Sequence, residues 1–299
     1  MRAFILRWRW LSAAGLGLAV LAIIGCSRAL PPDPVPDLTA ALDIRGGGGD
    51  VAQPGAADVA GGTGWGLLRG RFVLQGAAPA PGKLSTGGKD APTCNPDGVP
   101  DYSLIVSAAH DNGIQNVLIF ARRVSRVHES YEATAQDEVV FDQKDCLFLS
   151  PVTAMRVSQP LHIKNSDPIG HNTNISPPAD QGANPLLPPN GETTYQFGRP
   201  QNAPVAVSCN IHPWMKAWII PRTDPYFAVT DETGQFEMAL LPAGEEIEFQ
   251  VWHERASGSG NELAVPGLTD ARGRFKRTVP EDGQIDLEVL SVPPAAFGL

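Results

Sequence analysis

From Gly66 onward the chain is cut into short apolar segments by glycine, proline, asparagine and aspartate. Arg71-Phe-Val-Leu74, Asn116-Val-Leu-Ile-Phe120, Met155-Arg-Val157, Leu161-His-Ile-Lys164 and Pro204-Val-Ala-Val207 are too short for a helix that buries one face. Their branched residues suit a pleated surface. Ala217-Trp-Ile-Ile220, Phe236-Glu-Met-Ala-Leu240 and Ile247-Glu-Phe-Gln-Val251 continue the texture. A 3.6-residue period is best developed around Ser130 to Asp137. Many short strands with frequent turns predict an all-β fold of sandwiches or a barrel. The folded part, about 235 residues, is long enough for two such units. There is no internal repeat, phosphate-binding loop, dinucleotide glycine fingerprint or HExxH helix.

Ahead of this region lie two segments of different character. Arg2, Arg7 and Arg9 precede an apolar run from Leu11 to Ile24, which is short for a permanent membrane span and reads as an export signal. The run ends Ile23-Ile24-Gly25-Cys26. A small residue before a cysteine, after branched apolar residues, resembles the lipobox of bacterial lipoproteins. That resemblance implies cleavage after residue 25, acylation at Cys26, and a mature chain held on a bacterial membrane by lipid. The location expected is extracytoplasmic, facing the periplasm or the cell surface. Residues 26–65 hold Leu30-Pro-Pro-Asp-Pro-Val-Pro36 and Gly46-Gly-Gly-Gly49, which read as a flexible tether.

Loss of residues 1–25 takes the formal charge from −9 to −12. Phosphate binding needs a basic face, so no nucleic-acid partner is expected.

The densest chemistry lies in Cys209-Asn-Ile-His212-Pro-Trp-Met215. A thiolate, an imidazole and a thioether within one loop are donors that both copper(I) and copper(II) accept. A second histidine stands upstream in Asn165-Ser-Asp-Pro-Ile-Gly-His171-Asn172. Here the chain resembles the cupredoxins, amicyanin among them, over about residues 139–222. In that family an Asn-containing turn delivers the first histidine, and a C-x2-H-x2-M loop delivers the rest. The resemblance implies a Greek-key sandwich holding one type 1 copper, with His171, Cys209 and His212 in a plane and Met215 axial. It implies that Asn172 ties the histidine strand to the cysteine loop. It also implies that His212 emerges through an apolar surface patch as the electron port. Lys216-Ala217 after the methionine departs from the family, where glycine is common. His110, His128, His162 and His253 have no partner at ligand spacing.

With Cys26 given to lipid and Cys209 to metal, Cys94 and Cys146 remain. In an oxidising compartment they pair, or they stay as two buried thiols.

Tyr226 to Phe236, Leu241-Pro-Ala-Gly244 and Ile247 to Trp252 resemble carboxypeptidase regulatory-like sandwiches, whose tight turns use Asp, Gly and Pro in this way. The expected organisation is residues 1–25 leader, 26–65 tether, 66–134 a β-rich segment, 135–222 cupredoxin-like, and 223–299 the second sandwich. Residues 66–134 read as the first half of that sandwich, with the copper unit inserted; a tandem order is the alternative.

The function expected is transfer of single electrons to a redox protein such as a cytochrome, without enzymatic turnover. A copper-holding protein and a non-redox surface lipoprotein are the alternatives. A copper enzyme would need a second histidine set, which the sequence does not supply.

Overall fold

A computed structural model describes residues 64–86, 90–94 and 98–299, all within one compact unit, Asp58–Leu299. Cys26, the leader and most of the tether lie outside the described residues. Among the described residues, no helix is long and apolar enough to cross a membrane.

The structure is all-β, and its larger sheets stack as two sandwiches. In the first, Trp65–Leu74 is central. It pairs antiparallel with Gln235–Pro242 and parallel with Gln284–Val292. Its end at Val73 meets Gly113, whose strand Gly113–Ile114 pairs with Val106–Ser107. The facing sheet runs Phe227–Val229, Leu118–Ala121, Glu246–Trp252, Arg274–Thr278. Strands before residue 122 therefore pair with strands after residue 226, while residues 139–222 form sheets of their own.

The turn Asp231–Gln235 shows how sequence sets one of these hairpins. The Asp231 carboxylate accepts from the backbone N–H of Thr233 and Gln235 and from the Thr233 hydroxyl. Gly234 sits at φ +79, and a Cβ there would lie 2.2 Å from the Phe72 carbonyl oxygen. Only glycine fits.

In the second sandwich, one sheet runs Glu192–Tyr195, Leu161–Asn165, Val139–Lys144, Leu147–Phe148. The other runs Asn174–Ile175, Val205–Ser208, Lys216–Arg222, Val152–Arg156. Leu161–Asn165 alternates buried and half-buried residues, the pattern of a sheet with one face on a core. Leu161, Ile163, Phe141, Met155, Val205, Val207 and Ile219 meet there.

Leu118–Ala121 is buried at all four positions, as its unbroken apolar run demands. Ile119 and Ala121 belong to the core of the first sandwich. Leu118 and Phe120 face the other way, into a cluster with Val152, Ile220 and Trp252. Ile220 comes from the second sandwich, whose own core takes Ala217 and Ile219 of the same strand. Alternate residues of single strands thus fill two cores, and this seam joins the sandwiches. Burial of each such side chain contributes roughly 1.5–3 kcal/mol. The Trp218 and Trp252 rings meet edge to face at 5.1 Å in it.

The helical period around residues 130–137 is realised as a 3-10 helix, Glu129–Thr134. A small two-stranded ribbon, Lys83–Leu84 with Val99–Pro100, and the short helix Ala91–Cys94 lie between Leu74 and Val106. Cys94 is bonded to Cys146, with sulfurs 2.08 Å apart.

Candidate metal centre

The strand Leu161–Asn165 ends at a buried asparagine whose side chain shapes the following turn. Asn165 Nδ2 donates to the carbonyls of Ile169, Leu187 and Pro188 at 2.8, 3.2 and 3.0 Å, and Asn165 Oδ1 accepts from Asp167 N. The turn delivers His171 onto the short strand His171–Asn172, opposite Leu187. His171 is fully buried.

Asp167 fixes that ring. Its Oδ2 lies 2.7 Å from His171 Nε2 and 2.8 Å from the donating Cys146 N, and its Oδ1 accepts from Asp145 N at 2.6 Å. With Nε2 engaged, Nδ1 points the other way, toward His212 Nδ1 at 2.8 Å.

The second segment is a hairpin loop. Ser208 pairs with Lys216, and the seven residues between them close on themselves. Cys209 N donates to Met215 O at 3.2 Å, and Met215 N donates to His212 O at 2.9 Å. His212 N donates to Cys209 Sγ at 3.4 Å, and His212 Nδ1 lies 3.9 Å from that sulfur. Asn172 Oδ1 accepts from Asn210 N and Ile211 N at 2.8 and 3.3 Å and lies 3.4 Å from Cys209 Sγ. One asparagine side chain therefore bolts the histidine strand to the cysteine loop. Met215 is fully buried, in the core cluster that holds Cys209.

These spacings fit a single ion. Imidazole nitrogens bind at about 2.0–2.1 Å and thiolate sulfur at about 2.3 Å, so around one tetrahedral centre two nitrogens fall roughly 3.3 Å apart and nitrogen and sulfur roughly 3.6 Å apart; the 2.8 and 3.9 Å found here lie within about 0.5 Å of those values. The electrostatics agree. Burial raises the Cys209 thiol, but hydrogen bonds from His171 and from the Asn172, His212 and Ile211 backbone outweigh it and hold it below its usual value. Burial disfavours charge on His171, yet the Asp167 carboxylate and Cys209 push it up to about 9. Asp167 is itself raised by burial and lowered more by His171 and the two backbone N–H groups. On His212, burial and then the nearby His171 lower the value, against the Asp90 carboxylate.

Cys146 is the residue that sequence reasoning did not place here. Its sulfur and the donor nitrogens of His171 and His212 all lie within 4.8 Å of one another. That sulfur is bonded to Cys94, whereas Cys209 is the free cysteine among the described residues. Cys209 is therefore the available thiolate donor. Asp167 and Asp90 were also missed. Asp167, four residues before a ligand-type histidine, carried a signal: metal-binding imidazoles commonly give their other N–H to a carboxylate.

One expectation is corrected. His212 does not emerge through the surface; it is 2% exposed. Its Nε2 faces Asp90 Oδ2 at 3.3 Å, beside the helix Ala91–Cys94 that the disulfide ties to the site. Trp214, half-buried, stands 5.0 Å from the His212 ring, and its Nε1 donates to Cys146 O. With Pro213, Leu84 and Ser85 it lines a shallow cavity of about 470 Å3.

The remaining histidines stand apart from this centre. His162 sits between Glu138 and Glu192 at 2.6 and 3.2 Å. His110 meets Ser107, His128 caps the 3-10 helix through Ser130 N, and His253 is buried and accepts from Arg255 N.

No family model matches the chain, and no curated protein matches it. Among solved structures, the chain is similar to amicyanin from Paracoccus versutus (Thiobacillus versutus): 16% identity over 35% of this chain and 97% of that one, with a TM-score of 0.26. A copper(I) form of an amicyanin variant gives 14% over 35% and 91%, also at 0.26. A copper-containing nitrite reductase from Thermus scotoductus SA-01 gives 19% over 28% and 22%, again at 0.26. Similarity at this level decides nothing about chemistry, which rests on the residues of the site.

Proposed function

We propose that this chain binds one copper ion through His171, Cys209 and His212, with Met215 as a weak fourth donor, and carries single electrons. The observation that supports this most is the convergence of two buried imidazole Nδ1 atoms, 2.8 Å apart, on a free buried thiol. When bound, copper supplies a one-electron couple between its two common oxidation states. The protein supplies the rest. Asp167 orients His171, the His212 N–H donates to the Cys209 sulfur, Asn172 pins the loop through the N–H groups of Asn210 and Ile211, and the loop's own hydrogen bonds fix its shape. Ligands held this firmly change little between oxidation states, which keeps reorganisation small.

The same reading takes the mature chain to be anchored by acyl chains at Cys26 to a bacterial membrane, facing the periplasm or the cell surface, and to exchange electrons with a redox protein such as a cytochrome. A copper-holding role is the second reading, and the covering of His212 by Asp90 favours it.

Voltammetry of the copper-loaded full-length chain separates the two. A reversible one-electron wave, absent from Cys209→Ser, is the expected result; bound copper with no reversible wave would leave the holding role. Mass spectrometry of the membrane-purified protein tests the anchor: the expected N-terminal fragment begins at Cys26 with acyl chains attached, and an unmodified fragment would refute it.

A further inference from the structure

Cys146 is held at the metal centre by more than its disulfide. Its backbone N–H and that of Asp145 both donate to Asp167, the carboxylate that orients His171. Its carbonyl accepts from the Trp214 indole at 3.1 Å. Asp145 and Cys146 stand at φ 54 and 55, a left-handed pair that side chains other than glycine resist at about 1–2 kcal/mol each. Asp167, taking both N–H groups, holds the turn in that shape. The turn in turn puts the Cys146 sulfur within 4.8 Å of the donor nitrogens of His171 and His212. Cys94 belongs instead to the four-residue helix Ala91–Cys94. Of the two sulfur-bearing residues, Cys94 is the more accessible, at 6% exposed against 1%.

We propose that the Cys94–Cys146 disulfide masks a further metal ligand: on reduction by a dithiol, the Cys146 thiolate joins His171, Cys209 and His212 and converts a one-thiolate centre into a two-thiolate centre. This rests on the metal-centre reading above. A thiolate of the dithiol attacks Cys94 Sγ, forming a mixed disulfide and expelling Cys146 as its thiolate. The dithiol's second thiol, after losing its proton, attacks its own sulfur partner in the mixed disulfide. Cys94 leaves and takes up a proton. The dithiol has given two electrons and ends as a disulfide; the protein ends with one thiol at Cys94 and one thiolate at Cys146, and one proton goes to solvent. Asp167 and Trp214 keep Cys146 in place when Cys94 is released.

The change alters what the centre prefers. Two imidazoles, one thiolate and a thioether suit copper in both oxidation states. Two imidazoles and two thiolates make the tetrahedral set that holds zinc, and soft copper(I) favours it too. A reducing partner thereby moves the site from electron carriage toward tight metal retention.

Zinc K-edge X-ray absorption on the full-length chain counts the sulfurs directly, since sulfur and nitrogen neighbours separate at about 2.3 and 2.0 Å. Zinc-loaded protein is measured before and after dithiol treatment and desalting. The count of sulfurs at the thiolate distance of about 2.3 Å, inside the long contact of the Met215 thioether, is expected to double, from one to two. Cys94→Ser should show two sulfurs without reductant, and Cys146→Ser one under both conditions. If the untreated sulfur neighbour disappears in Cys209→Ser yet the count stays at one after reduction and in Cys94→Ser, this inference is overturned and the metal centre stands. If that neighbour survives Cys209→Ser, the metal-centre reading fails and takes this one with it.

Discussion

In the sandwich built from strands before residue 122 and after residue 226, buried polar groups are scattered. Thr230, for one, is satisfied locally by the Ile114 carbonyl and the Val117 N–H, whereas Arg274 Nε finds no hydrogen-bond partner among the described residues. The core of Leu68, Phe72, Ile119, Phe249 and Val251 closes around them. In the sandwich of residues 139–222, Asn165, Asp167, His171, Asn172, Thr173 and His212 lie close along the chain or across the loop, each at most 5% exposed. Several of them bond to one another. Burying polar groups is unfavourable unless each finds a partner, and a connected set is tolerated only when nearly complete. The first sandwich is therefore organised for stability, whereas the second devotes one end of its core to holding donor atoms in place.

Substitutions can break this contrast. Phe249→Ala removes a fully buried ring from the first core and should destabilise the chain by about 3–5 kcal/mol in denaturant unfolding, while copper-loaded protein keeps its spectrum below the transition. Loss of both together would mean that the two cores are not separable. Cys94→Ser opens a link between residues 52 apart in sequence and should lower stability by up to about 4 kcal/mol on chain entropy. A change below about 1 kcal/mol would show that the cross-link does little to restrict the unfolded chain.

Smaller effects sharpen the comparison at the seam. There burial raises the Glu254 carboxyl to about 7, against a hydrogen bond from Trp218, and lowers the adjacent His253 to about 4. As pH rises from 4.5 to 7 the unfolded chain releases the Glu254 proton while the folded chain keeps it, so this group removes stability across that window. His253 acts oppositely: below 6.5 the unfolded chain binds a proton that the folded chain refuses, so stability rises with pH from 4 to 6.5. The two slopes offset each other in the natural chain. Glu254→Gln should unmask the rising slope, a gain of at most about 3 kcal/mol between pH 4 and 6.5. A flat profile in that variant would contradict the burial of His253. Asn172→Ala should remove about 1–3 kcal/mol by orphaning the N–H groups of Asn210 and Ile211, and should broaden the copper spectrum. Asp286→Asn, which breaks the exposed, solvent-screened pair with Arg69, should leave the unfolding midpoint and the metal centre essentially unaltered.

Much of this contrast was legible in the residues. Short branched segments between turn formers specified the strands, and the donor types in Cys209–Met215 specified the loop chemistry. The burial of Leu118–Ala121 on both faces emerged only with the fold. What could not be read was long-range placement. Gln284–Val292 pairs parallel to Trp65–Leu74 across more than two hundred residues, and no local pattern encodes that register. No local pattern places Asp90 against His212 or brings Cys94 to the metal centre through Cys146; tertiary structure does both. Burial of His212 follows from that covering segment and not from its own neighbours in sequence, and so the exposed ring expected there was not found.

Whether His171, Cys209 and His212 hold one copper ion is tested by electron paramagnetic resonance and absorption of the copper(II)-loaded full-length chain, beside Cys209→Ser. The expected result is one copper per chain, an intense blue thiolate-to-copper band, a narrowed parallel hyperfine splitting, and loss of both spectral features in the variant. A pale spectrum with ordinary hyperfine splitting, unchanged by Cys209→Ser, would contradict it.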